Sequence, residues 1–107
     1  MYADYLKEHR GDHLIENEFG FAVYRFLNET QVYIVDIYVV PEQRKSHEAS
    51  TIADAIVVVA KARGCSELLG TVVPSANKST ESLKVLLGYG MRLKSASDDL
   101  IIFSKGI

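Results

Sequence analysis

The sequence predicts an α+β domain, on three observations. A β-branched and aromatic run, Gln31–Val40, is followed by a long amphipathic stretch and a second apolar run, Ser66–Val73, the pattern of a β-α-β crossover. On either side of that unit lie paired alternating stretches separated only by turn residues, as in antiparallel hairpins. The chain has 107 residues, 48% of them hydrophobic and 24% charged, which suits a single domain over 1–107 with its own core.

Each element has its own local reason. Tyr2, Tyr5, Leu6 and His9 share a helical face, so Tyr2–Arg10 reads as a short helix stopped by Gly11. His13–Glu18 and Phe21–Leu27 are strand-like around Gly20, and Asn28-Glu29 marks the next turn. Gln31–Val40 is the strongest strand; both alternating faces are apolar, which predicts a central strand covered on both sides. Asp36 is the single ionisable residue inside it, and Pro41 ends it. After the loop Pro41–Lys45, a helix is predicted over Ser46–Arg63, with Ser46 as N-cap and Gly64 as C-cap. Its buried stripe is Ala49, Ile52, Ala53, Ile56, Val59 and Ala60. Ser66–Val73 is the next strand and parallel to Gln31–Val40; Pro74–Asn77 is loop, and Ser79–Leu87 a helix leaving through Gly88-Tyr89-Gly90. Met91–Ser95 and Leu100–Lys105 close the chain around a turn at Ala96–Asp99. The order is α-β-β-β-α-β-α-β-β, a mixed sheet with helices on both faces.

Composition excludes several classes of function. Cys65 is the lone cysteine, so neither a disulfide framework nor a four-cysteine zinc site is expected. Its place after the Gly64 cap suits a buried strand start rather than a nucleophile. Gly11 separates His9 from His13, and no metal site is expected. The longest apolar run, Ala55–Ala60, is far short of the roughly 20 residues of a membrane span, and the charged N-terminus does not read as a signal peptide. A soluble, cytoplasmic protein is expected, with no membrane partner. Twelve Lys+Arg against fourteen Asp+Glu give a net charge of −2, which argues against a nucleic-acid partner. The densest basic spot, Arg44-Lys45, suffices for one or two phosphates. The aromatic residues Phe21, Tyr24, Phe26, Tyr33 and Tyr38 read as packing, with one or two of them lining a substrate side. Asp36 has two open readings: a general base in a pocket, or a carboxylate at a bulge or sheet edge paired with a neighbour.

Three motifs together with this element order resemble the GNAT N-acetyltransferase superfamily. They are Ile37-Tyr38-Val39-Val40-Pro41-Glu42-Gln43-Arg44, similar to that family's fourth strand and cofactor loop; Gly90-Met91 after a helix, in place of its Gly-Phe; and the closing strand Ile101-Ile102-Phe103-Ser104-Lys105. The resemblance runs from Gly20 onward, and the part before it is shorter than the family pattern. It implies transfer of an acyl group, usually acetyl, from coenzyme A to a primary amine. Acetyl-CoA is the implied cofactor, and the acceptor a small molecule or a protein. By position, the stretch Ile37, Tyr38 and Val39 would bind the thioester and pantetheine. The loop Arg44, Lys45, Ser46, His47, Glu48 and Ala49 would hold the pyrophosphate at a helix N-terminus. Here Arg44 and Ala49 match the family pattern, whereas His47 replaces a glycine.

The resemblance also implies a catalytic tyrosine four residues before Gly90, where this chain has Leu86. Tyr89 is then the candidate acid, if it swings in, or a half-buried aromatic closing the helix. The family's helix-opening asparagine falls near Asn77 or Ser79. A homodimer is left open, because the shortened N-terminus removes one wall of the family's acceptor pocket. Very short members of the family often come from phages, and a protein acceptor fits such a member. The competing reading is a catalytically degenerate GNAT-fold binding or assembly module, which His47 and Leu86 favour. The enzyme reading requires Gln31–Val40 and Ser66–Val73 to splay into a V; pairing of Ile37–Val39 with Leu69–Val72 would leave no groove.

Overall fold

The computed structural model describes residues 11–43, 48–75 and 79–107. In chain order the elements are β1 (His13–Asn17), β2 (Gly20–Phe26), β3 (Gln31–Val39), a 3-10 turn at Pro41–Gln43, α1 (Glu48–Ala62), β4 (Glu67–Val72), α2 (Ser79–Gly88), β5 (Arg92–Ser97) and β6 (Leu100–Gly106). The helix expected over Tyr2–Arg10 lies outside the described residues. The strands form one mixed six-stranded sheet in the order β1-β2-β3-β4-β6-β5. All neighbours are antiparallel except β3 and β4, whose parallel pairing is the predicted crossover. No described helix is long and apolar enough to cross a membrane.

Turn chemistry sets the boundaries. The Asn17 side chain accepts from the amides of Phe19 (2.8 Å) and Gly20 (3.1 Å), closing the β1–β2 hairpin. Gly20 itself belongs to β2 rather than to the turn. It lies against Val39, where a Cβ would collide with the Tyr38 carbonyl oxygen and come within 2.9 Å of Val39 Cα. Asn28 repeats the device before β3, accepting from the amides of Thr30 and Gln31, each at 2.9 Å. Both helices end in the same way. Gly64 (φ 94°) follows α1, with Cys65 N–H donating to Ala60 O at 2.9 Å; Gly90 (φ 87°) follows α2, with Met91 N–H donating to Leu86 O at 3.1 Å. The last turn is tighter than expected. Ser97 pairs with Leu100, so Ala96 and Ser97 are strand and the turn is Asp98-Asp99 alone.

Register sorts the sheet into two faces. Ala22, Tyr24, Val32, Ile34, Val39, Leu68, Val72 and Phe103 point to one side and form a single buried core with Ile52, Ile56 and Ala60 of α1 and Leu86 of α2. Both described helices therefore cover the same face, and helices on both faces would turn on Tyr2–Arg10. Cys65 is buried in that core, as expected. On the other face Asp12, 1% exposed, accepts from Arg25 Nε at 2.5 Å. The strand β3 is central, but its outer face is not covered throughout. Asp36 and Tyr38 are exposed, because β4 turns away from β3 there.

Candidate functional site: a cleft where two parallel strands part

β3 and β4 run side by side for only four residue pairs, from Gln31↔Glu67 to Ile34↔Gly70. Beyond that, β3 continues to Val39 and β4 to Val72 with no ladder between them, so the two strands form a V. Two local features open it. Opposite β2 the register slips: Tyr24 pairs with Ile34 and Val23 with Asp36, leaving Val35 as an extra residue. Such a bulge bends and twists its strand. On the core side, Leu86 of α2 packs against Gly70, where a Cβ would lie 2.9 Å from a Leu86 methyl. A side chain at position 70 would compete with Leu86 for the same space.

The apex of the V holds a cleft of about 80 Å³, lined by Ile34, Val35, Asp36, Ile37, Gly70, Thr71, Val85 and Leu86. The Tyr33 hydroxyl and Thr71 Oγ1 lie 2.8 Å apart, a hydrogen bond that ties β3 to β4 on the outer face just where the ladder ends. The lining is apolar toward the core and carries one carboxylate, Asp36, at the outer mouth. Asp36 forms no ion pair with any described residue. Two cations of that face are paired elsewhere: Arg25 with Asp12, and Lys94 with Glu67 at 2.8 Å.

Of the residues expected at the site, Asp36 and Ile37 line the cleft, and Tyr38 and Val39 continue the unladdered edge of β3 beyond it. Asp36 follows the bulge residue Val35 and lines the cleft. Glu48 opens α1, and Ala49 packs against the core. Arg44, Lys45, Ser46, His47 and Asn77 lie outside the described residues. Tyr89 is not among the cleft-lining residues. Its hydroxyl donates to Asp54 Oδ1 at 2.6 Å, its ring lies under Lys105 Nζ at 4.3 Å, and its carbonyl accepts from the same ammonium at 2.9 Å. Burial, and then the Asp54 hydrogen bond, raises its phenol pKa above the ordinary 10.0. These contacts match the reading of Tyr89 as a half-buried aromatic that closes the helix. The position that does face the cleft is Leu86, four residues before Gly90.

Sequence reasoning missed Val35, Gly70, Thr71 and Val85. Only Gly70 carries a readable signal, since a glycine inside an otherwise β-branched strand marks a bulge or a close approach. A larger hollow of about 490 Å³ lies at the opposite end of the sheet, between Phe26, Asn28–Thr30 and Arg63–Cys65. Several of its polar groups are already in use. Arg63 stacks over Phe26 at 3.8 Å, Asn28 holds its own turn, and the Cys65 thiol points to Glu29 O at 3.9 Å. The smaller cleft, by contrast, lies where the β3–β4 ladder stops and carries a carboxylate that pairs with no described residue.

Residues 2–89 match the model of the acetyltransferase (GNAT) family. Among solved structures, the fold is similar to a putative GNAT acetyltransferase from Desulfovibrio desulfuricans, with a TM-score of 0.76 and 18% identity, covering 96% of this chain and 75% of that one. It is also similar to a GNAT family acetyltransferase from Elizabethkingia anophelis with acetyl-CoA bound, with a TM-score of 0.73 and 16% identity, covering 97% and 82%. The anti-CRISPR protein AcrVA5 matches with a TM-score of 0.67 and 16% identity, covering 85% of this chain and 96% of that one. No curated protein sequence matches.

Proposed function

Because the chain belongs to the GNAT acetyltransferase family, we propose that it transfers an acetyl group from acetyl-CoA to a primary amine. The observation that carries this reading is the V between β3 and β4, whose ladder stops at Ile34↔Gly70. Had it continued to Val72, there would be no groove for a cofactor. Acetyl-CoA fits the cleft in kind: the apolar wall of Ile34, Ile37, Val85 and Leu86 suits a thioester, and glycine at position 70 keeps that wall open. When bound, it supplies an acyl carbon activated by a thiolate leaving group. The edge of β3 from Ile37 to Val39 offers backbone groups for the pantetheine arm and an N–H for the developing oxyanion. The N-terminus of α1 and the segment Arg44–Ala49 are the proposed pyrophosphate site, and Asn77 a further proposed cofactor contact.

Asp36 is the proposed general base, because it is the carboxylate at the cleft and pairs with no described cation. Among the described residues no acid stands opposite. Leu86 occupies the position where the family often has tyrosine, and the Tyr89 hydroxyl is engaged by Asp54. A thiolate is stable enough to leave unprotonated, so the missing acid lowers the rate without abolishing it. Leu86 also supports a second reading, a module that retains the fold and the cofactor cleft but has lost turnover.

Calorimetric titration with acetyl-CoA and CoA tests both readings, alongside Arg44→Ala and His47→Gly. Micromolar binding weakened by Arg44→Ala, with thiol release on adding amines, supports the enzyme. Binding without release under any acceptor supports the degenerate module. Binding seen only in His47→Gly would mean that the natural chain has lost its cofactor, and no binding in either form would overturn both readings.

A further inference from the structure

The outer mouth of the cleft has a composition of its own. Alternation along β3 after the bulge puts Asp36 and Tyr38 on the outer face, and the register with β2 puts Val23 and Phe21 beside them. Phe21 and Tyr38 are cross-strand partners with stacked rings, 5.6 Å between centroids and 26° between planes. Tyr38 is 40% exposed, whereas Val23, the cross-strand partner of Asp36, is 4% exposed. Diagonal neighbours on adjacent strands lie roughly 7–8 Å apart, so one small cation can meet both the rings and the carboxylate. The patch is an aromatic pair at the wide end of the V leading to a carboxylate at its apex that pairs with no described residue.

We infer that this patch selects the acceptor: a primary alkylammonium whose chain crosses the Phe21–Tyr38 pair and whose charged nitrogen arrives at Asp36. The inference rests on the acetyltransferase reading and names its substrate class. Aromatic faces attract ammonium through their quadrupole, and the carboxylate supplies the countercharge. A neutral aryl amine would leave Asp36 unpaired, and an acceptor with a carboxylate beside its amine would repel it. The step balances. Asp36 takes one proton from the ammonium, the freed nitrogen pair forms the C–N bond to the acyl carbon, and the C–S bond breaks with its electrons on the thiolate. One of the two protons left on the attacking nitrogen then goes to that thiolate or to water, the other stays as the amide N–H, and Asp36 returns its proton to solvent. The alkylammonium could belong to a free diamine or to a lysine side chain.

The test compares kcat/KM for 1,5-diaminopentane, a capped lysine peptide, an aryl amine and glutamate, in the natural chain, Tyr38→Leu and Asp36→Asn. The natural chain should prefer the two alkylammonium acceptors by at least about tenfold, and whichever is better identifies the source. Tyr38→Leu should raise KM for them by about three- to tenfold with kcat changed little. Its affinity for CoA, measured separately by calorimetry, separates loss of the acceptor contact from a disturbed β3 edge. Asp36→Asn should erase the preference for cations and lower kcat. Equal use of glutamate, or a Tyr38→Leu variant with unchanged KM, would overturn the inference while leaving the acetyltransferase reading intact. If no acceptor turns over, the enzyme reading falls, and calorimetric binding of diaminopentane to the CoA complex tests the patch alone. Absence of binding then overturns it too.

Discussion

Tyr89 is held by two neighbours rather than aimed at the cleft. Its hydroxyl joins Asp54 of α1 to the end of α2, and its ring and carbonyl hold Lys105 of β6. Tyr89→Phe should therefore cost about 1 kcal/mol or less in urea denaturation, since the hydrogen bond is exposed, and should leave kcat unchanged. A large fall in kcat with unaltered stability would return Tyr89 to the chemistry. The pH dependence has a definite sign. The folded-state pKa is raised above 10.0, so the contribution is complete below that value and is lost as pH climbs through the higher folded one. Tyr89→Phe should flatten stability in that alkaline range. Gly70 is the opposite case, a residue that acts by having no side chain. Gly70→Ala pushes its Cβ against Leu86, whose flexible end can yield only toward the cleft or the core. The expected outcome is a modest stability loss, under about 2 kcal/mol, with CoA affinity weakened severalfold in calorimetry.

Among the elements, the pair β2–β3 decides whether a site exists. Gly20 lies so close to β3 that an added Cβ would collide with the Tyr38 carbonyl oxygen, and backbone cannot swing aside as a side chain can. Gly20→Ala should destabilise by about 1–3 kcal/mol and separate the Phe21–Tyr38 pair, weakening acceptor use beyond what the stability loss explains. Retained thermal stability in that variant would show that the two strands have more freedom than their register implies. The strand runs themselves were legible because Val, Ile, Tyr and Phe alternate between turn residues; Asn17 and Asn28 mark those turns chemically. The bulge at Val35 was not legible. Ile34 stands before it and Asp36 after, and no glycine or proline advertises the slip.

Across the whole molecule, Glu67 ties the sheet laterally. From β4 it accepts from Gln31 of β3 at 2.6 Å and from Lys94 of β5 at 2.8 Å, reaching across β6. Lys94, and then Gln31, lowers the Glu67 pKa below 4.5. A depressed carboxylate stabilises above its unfolded value, and that contribution disappears as pH falls through the folded one. Natural protein should thus lose stability below about pH 4.5, more steeply than Glu67→Gln. Superimposable acid profiles would show the pair to be a surface contact of no weight, as exposed ion pairs often are.

Local chemistry along the chain was enough to establish the order of elements, the parallel crossover, the helix stops at Gly64 and Gly90, the burial of Cys65 and the family. These follow from periodicity, turn chemistry and φ requirements, which each residue carries with it, and from motifs in a fixed order. A charge inside an apolar strand singled out Asp36 and the resemblance pointed to Ile37; both line the cleft. Three features come from packing instead. The β3–β4 ladder ends at Ile34↔Gly70, Leu86 and not Tyr89 faces the opening, and Phe21 and Tyr38 stack beside Asp36. Each depends on which residues meet across strands and helices that are separate in the chain. A one-residue slip at Val35 sets the meetings along β3, and strand propensity has no means of recording it.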